Sequence, residues 1–260
     1  MHLKTLSFAL TFLSLIVANA QDSSLKHSHS HNDYKQDHPL TDALKNKFSS
    51  IEVDVFLIKG ELVVSHVHPV FKKQSLEIMY LKPIKELYEK QRGVIYSDAP
   101  LVLLIDIKSD AEKTYAALSI LLKSYSSILT RYENGEIIQG AVTIILSGHK
   151  AHEMLQKENL RYAFIDQNLL TLEQPAQNKT YLMASEKYSN VLKWKGSGPI
   201  PEKEKKKLTA IVKCAHEQGK LIRLWASPEN ENVWKELLNC DVDLISTNEL
   251  EKLRRFLEKK

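Results

Sequence analysis

Cysteine is nearly missing from this chain of 260 residues: Cys214 and Cys240 are the only two, so they can form one bridge at most and cannot build a disulfide framework. Glycine and proline are also scarce, at eight each. They nowhere gather with serine into a linker or a low-complexity tract, and no repeat period can be read, so a single domain is the simpler reading. A dominant charge is lacking too. Lys and Arg number 36 against 32 Asp and Glu, and the +4 excess is spread along the sequence, which argues against nucleic acid as a partner. Beyond residue 20 no stretch comes near the roughly 20 apolar residues a membrane helix needs, so stable membrane insertion is not expected. The mature product is expected to be a soluble monomer.

The first twenty residues read differently. Lys4 is followed by an apolar run from Leu6 to Val17 and then by Ala18-Asn19-Ala20. That is the pattern of a secretory signal peptide cut after Ala20, and with no Cys at the cut, lipid attachment is disfavoured. The expectation is therefore a leader at residues 1–20, a folded unit at 21–260, and export to the periplasm or the medium.

Within the folded unit, short aliphatic runs alternate with helical stripes. The runs are Lys26 to Ser30, Ile51 to Leu57, Leu101 to Ile107, Val142 to Leu146, Ala163 to Ile165, Tyr181 to Met183, Leu221 to Trp225 and Val242 to Ile245, with Leu62 to Val64 as an extension of the second. Several are apolar on both faces, as strands of a covered parallel sheet are. Between them, Ala117, Leu118, Leu121, Leu122 and Tyr125, and later Leu208, Ile211, Val212 and Ala215, recur at spacings of three and four. Pro83 suits the first turn of a helix running to Gln91, and Gly93 suits its end. The charged stretch Glu202 to Lys207 reads as solvated first turns of a helix. Eight strands alternating with helices predict a closed α/β barrel.

In such barrels the reactive groups stand at the carboxyl ends of strands. Glu52 and Asp54 lie two apart, so both point to one face and can hold a hard cation with oxygen ligands. Ile51, Val53, Val55 and Leu57 mark the other face as packed under helices. Asp106 closes the most apolar run, with Lys108 on the same face to meet a phosphate's charge. His27, His29 and His31 alternate along the first strand, and His66 and His68 follow Val64. Histidines on opposite sides of a phosphodiester would supply a general base and a general acid.

Four ordered segments carry a resemblance: His31-Asn32-Asp33-Tyr34, Ser50-Ile51-Glu52-Val53-Asp54-Val55, Leu62-Val63-Val64-Ser65-His66 and Leu104-Ile105-Asp106-Ile107-Lys108. Together they resemble the superfamily of phosphatidylinositol-specific phospholipase C and glycerophosphodiester phosphodiesterase, and within it the bacterial and fungal branch that begins with His-Asn-Asp-Tyr. The likeness runs from about Ser28 to Leu253. It implies a single-domain (β/α)8 TIM-type barrel, catalytic His31 and His66, and one Ca2+ or Mg2+ held by Glu52, Asp54 and Asp106. Asn32, Lys108 and Trp225 would meet a small phosphodiester or a phospholipid head group. The implied reaction is attack on phosphorus by a neighbouring substrate hydroxyl. The sequence departs from the glycerophosphodiester enzymes at Asn32, where they usually carry Arg, and at Val67, where they usually carry Asp, and it has Asn248 where an acid is common in the last strand-end motif.

Two other readings stay open on the residues. His27 with His29, or His29 with His31, together with His149, could be the zinc ligands of an amidohydrolase or a polymerase-and-histidinol-phosphatase type phosphoesterase. The barrel could also be an inactive one that binds lipid head groups or sugars.

Overall fold

Each of the eight aliphatic runs forms a parallel strand in the computed structural model, which describes residues 23–70, 74–172 and 179–259. In chain order they are β1 Leu25–Ser30, β2 Phe48–Ile58, β3 Leu101–Ile107, β4 Val142–Gly148, β5 Phe164–Asn168, β6 Tyr181–Lys187, β7 Leu221–Trp225 and β8 Leu244–Thr247. β1 pairs with both β2 and β8, so the sheet closes into the expected TIM-type barrel. The strand Glu61–Val64 returns antiparallel along the outer half of β2, pairing Val64 with Val55.

Helices cover the outside, and their ends follow the local sequence. Pro83 occupies the first turn of Lys82–Lys90, and Gly93 closes that helix at φ +97° by donating its N–H to the Tyr88 carbonyl. Asp110 caps Ala111–Lys123 by accepting from the Lys113 N–H, as Asn230 caps Glu231–Asn239 by accepting from the Val233 N–H. The charged turns from Glu202 open the helix Glu202–His216. Among the described residues no helix is long and apolar enough to cross a membrane.

Strand alternation builds two cores. Outward-facing Ile51, Val53, Val55, Leu103, Ile105, Ile144, Leu146, Ile222, Leu224 and Ile245 pack under the helices. Inward-facing Val102, Leu104, Ile145, Met183 and Leu244 plug the lower barrel. Above the plug the inward positions turn polar, and that change of character positions the site.

Two features depart from expectation, and the two cysteines stand unpaired. His27 does not join His29 and His31 at the mouth: a register shift between Leu25 and His29 gives it φ 65°, and its Nδ1 bonds the Asp243 carbonyl at the barrel's lower end. A small sheet of Arg131–Glu133, Glu136–Ile138 and Leu160–Arg161 stands beside the barrel, with the Arg161 guanidinium 3.9 Å from the Tyr132 ring centre. Cys214 is exposed and Cys240 buried, and both are free thiols. The leader expected at residues 1–20 lies outside the described residues.

Candidate active site

Glu52 and Asp54 project inward from β2 and are buried, at 4% and 0% exposure, which excludes a solvated edge strand. Asp106 joins them because β3 runs beside β2 with Asp106 in register with Asp54. One oxygen from each carboxylate falls within a 4.8 Å cluster. Among the described residues this is the group suited to a metal ion, and it is all oxygen. Histidines are not gathered for zinc: His149 is exposed and bonds the Ser109 carbonyl, and His27 is at the far end.

Three like charges at this spacing need compensation, and two cations supply it from opposite sides. Lys108 Nζ lies on Asp106 Oδ2 and 3.3 Å from Asp54 Oδ2. The Arg223 guanidinium, from β7, donates to Glu52 Oε2, which also bonds His29 Nε2 at 2.9 Å. Burial pushes the Glu52 carboxyl up, but Arg223 and then His29 more than reverse this and hold it far below the usual carboxylate range. Burial raises the Asp106 carboxyl, only partly opposed by Lys108. The Lys108 ammonium loses from its own burial and gains more from Asp106 and Asp54, so it rises. His29, buried completely, is driven down to about 4 by desolvation and by Arg223. It is a neutral brace inside the barrel, with Ser50 Oγ on its Nδ1 at 2.8 Å. After this pairing, Asp54 Oδ1 and Asp106 Oδ1 remain buried with no partner. Two orphaned carboxylate oxygens beside a third acid are what a hard divalent cation satisfies, so the residues fit such an ion.

The His-Asn-Asp-Tyr segment divides its labour. Asp33 braces the loop, accepting from Ser30 Oγ, the Leu40 N–H and the Tyr80 hydroxyl. Tyr34 ties the loop to the acids, its hydroxyl 2.8 Å from Asp54 Oδ2 and 2.9 Å from Asn32 Oδ1. Asn32 sits at φ 49° and is buried, with its Nδ2 3.1 Å from His31 Nε2. His31 Nδ1 lies 3.1 Å from Asn248 Oδ1. Both the side-chain and backbone N–H groups of Asn248 donate to Glu229 Oε1 at 2.9 Å. A carboxylate only accepts, so Glu229 turns the Asn248 carbonyl toward His31 and fixes the Nδ1–H tautomer, leaving Nε2 with a lone pair. Across the mouth, His66 Nδ1 lies 2.7 Å from Asp54 Oδ2, and its side chain is half exposed. His68 instead stacks edge-on against Phe56.

His31, Asn32, Glu52, His66, Asp106, Lys108 and Arg223 line a cavity of about 420 Å³ shared with Ser147, Lys150, Asp166, Gln167, Ser185, Glu186 and Trp225. Trp225 stands at the rim, 39% exposed, with Lys187 Nζ 5.6 Å from its ring centre. Sequence reasoning missed Arg223, Asp166 and Glu229. A signal for Arg223 existed, since it lies two residues before Trp225 and therefore on the same strand face.

Two consequences are measurable. A Cβ on Gly148, at φ +69°, would stand 2.1 Å from Asp106 Oδ1 and 2.4 Å from the Ile107 carbonyl. Gly148→Ala is therefore expected to cost about 1–3 kcal/mol in urea unfolding and to weaken divalent-cation binding; unchanged affinity would show that Asp106 does not need its position. Burial lifts the Asp166 carboxyl from 3.8 to about 6 despite Arg223. The folded chain then holds a proton that the unfolded chain releases between those values, so stability falls as pH rises through that window. Asp166→Asn is expected to stabilise the metal-free protein by about 2–3 kcal/mol at neutral pH, with the gain gone near pH 4; a gain independent of pH would contradict the cause.

Residues 19–166 match the family model of the AIM6-like phosphodiesterase domain. The protein named altered inheritance of mitochondria protein 6 from Kluyveromyces lactis is 28% identical over 88% of this chain and 71% of its own length. The homolog from Arthroderma benhamiae is 28% identical over 82% of this chain and 80% of its own. The Saccharomyces cerevisiae protein of that name is 30% identical, covering 77% of this chain and 61% of its own.

Proposed function

Because this chain belongs to the AIM6-like phosphodiesterase domain family, we propose that it cleaves a glycerophosphodiester or a phospholipid head group with one bound Ca2+ or Mg2+ and two histidines. The observation that carries the reading is the convergence of Glu52, Asp54 and Asp106, two with orphaned oxygens, between His31 and His66. The three carboxylates would hold the cation, which when bound supplies positive charge against the phosphoryl oxygens. Lys108, at the cavity wall, meets another phosphoryl oxygen. His31 Nε2, kept as an acceptor by Asn248, exchanges its bond from Asn32 Nδ2 for one from a neighbouring substrate hydroxyl and takes that proton as the hydroxyl oxygen bonds to phosphorus. The bond to the departing alcohol breaks, and His66, anchored through Nδ1 by Asp54, returns a proton to that alcohol. Atoms balance with a cyclic phosphate and a free alcohol as products. Asn32, where the glycerophosphodiester enzymes usually carry Arg, cannot make a bidentate phosphate contact and instead holds His31 in the free protein.

The test is alcohol release from diesters that carry a neighbouring hydroxyl, glycerophosphocholine, phosphatidylinositol and sphingomyelin, with calcium, magnesium or zinc. Cleavage that needs calcium or magnesium and vanishes in Glu52→Ala supports the reading, whereas zinc-only activity surviving that change overturns it. Metal binding with no turnover on any diester would leave a binding barrel. Glu229→Gln should lower kcat about tenfold with KM little changed, because the amide lets Asn248 rotate and the tautomer of His31 drift. Nitrogen NMR of the ring reports the tautomer directly, and an unaltered Nδ1–H signal would refute that role.

A further inference from the structure

One hydroxyl stands between the two halves of the site and has more acceptors than protons. Tyr34 Oη lies 2.9 Å from Asn32 Oδ1 and 2.8 Å from Asp54 Oδ2, and each oxygen is placed to accept from it. Burial and then the Asp54 charge push this phenol far above its usual range, so it keeps its proton. A phenol carries one. At any instant only one of the two oxygens receives it, and the other faces the Tyr34 oxygen with no proton between them.

The two acceptors lead to different histidines. Asn32 presents the other end of its amide, Nδ2, 3.1 Å from His31 Nε2. Asp54 Oδ2 holds His66 Nδ1 at 2.7 Å. The series His31, Asn32, Tyr34, Asp54, His66 therefore crosses the mouth with no contact longer than 3.1 Å. Which acceptor wins depends on the charge of Asp54. An ionised carboxylate draws a shared donor more strongly than a neutral amide does, whereas a carboxylate whose charge a cation has met is the weaker rival. Asp54 belongs to the three acids that fit such an ion.

We propose that Tyr34 is a positioning residue that couples the filling of the three-acid site to His31, its O–H turning from Asp54 Oδ2 to Asn32 Oδ1 once Asp54 is occupied. With Oδ1 engaged, the Asn32 amide is fixed, and its Nδ2 keeps the His31 Nε2 lone pair facing the cavity until a substrate hydroxyl takes its place. No group changes its charge; one O–H changes direction. The inference rests on the phosphodiesterase reading and deepens it: the base is set only where the charge that meets the phosphoryl group is already in place.

Nitrogen NMR at about pH 8, above the ordinary histidine range, follows the His31 and His66 rings as magnesium is added, each ring identified by its alanine variant. His66 is bonded to Asp54 directly, so it should shift in the wild type, in Tyr34→Phe and in Asn32→Gly, and it reports loading in all three. Glycine suits the φ of 49° at position 32. His31 Nε2 should shift in the wild type and lose most of that shift in both variants. An equal His31 shift in Tyr34→Phe means that the cation acts through space and overturns the relay, as does a wild-type His31 that stays still while His66 moves. A silent His66 removes the cation site and the relay with it. Coupling is read apart from turnover: a relayed shift without cleavage of any diester leaves the relay and removes the enzyme, and cleavage without the shift does the reverse.

Discussion

His31→Ala is expected to lower kcat for phosphodiester cleavage on the order of 10³-fold while leaving cation binding intact. The size follows from the site: His31 offers the one ring nitrogen whose acceptor state is enforced, through Asn248 and Glu229, on the face of the cavity where a substrate hydroxyl would be activated. It touches none of the three acids by hydrogen bond, so calorimetry of calcium or magnesium should hardly change. Single-turnover kinetics on bis(p-nitrophenyl) phosphate is a poor substitute here, because that diester has no neighbouring hydroxyl to deprotonate. A hydroxylated diester is the correct probe. A loss below tenfold on it would remove His31 from the reaction.

Glu52→Ala should show its largest effect in folding. The Arg223 guanidinium is 4% exposed and Glu52 is its ion-pair partner, so truncation leaves a buried cation without the carboxylate it is bonded to. Breaking such a pair costs about 3–5 kcal/mol, which for a chain of this size lowers the melting temperature on the order of 10 °C. Replacing both members by apolar residues is often neutral. Glu52→Leu with Arg223→Met should therefore recover most of the stability and none of the cation binding. If the single truncation costs under about 1 kcal/mol, water reaches the pair and screens it.

Much of this architecture was legible because strand burial writes itself as runs of Val, Ile and Leu. Glu52 and Asp54 stood out for the same reason, as two charges inside such a run. What stayed hidden has a common cause. Apolarity marks a strand in sequence, yet barrel strands turn polar at the very level where chemistry begins. β5 reads as ending at Ile165 and continues to Asn168, so Asp166 was cut off. β6 reads as ending at Met183 and runs to Lys187, which hid Ser185. β4 reads as ending at Leu146, one residue before Ser147. His27 failed differently: alternation assumes regular pairing, and one register shift breaks it. Glu229 acts through Asn248 from a loop beyond β7, and no local pattern announces a group that works through another.

The lower barrel gives the site one more property. Val102, Leu104, Ile145, Met183 and Leu244 close it from beneath, so among the described residues the cavity has no passage through the barrel floor. Whatever enters deepest leaves last. If the hydroxylated half of the diester is gripped near the floor, the departing alcohol must clear the mouth before the cyclic phosphate can follow, and release is ordered by geometry alone. The product left behind then fills the site that fresh substrate must enter, and inhibition by it should be competitive with fresh substrate.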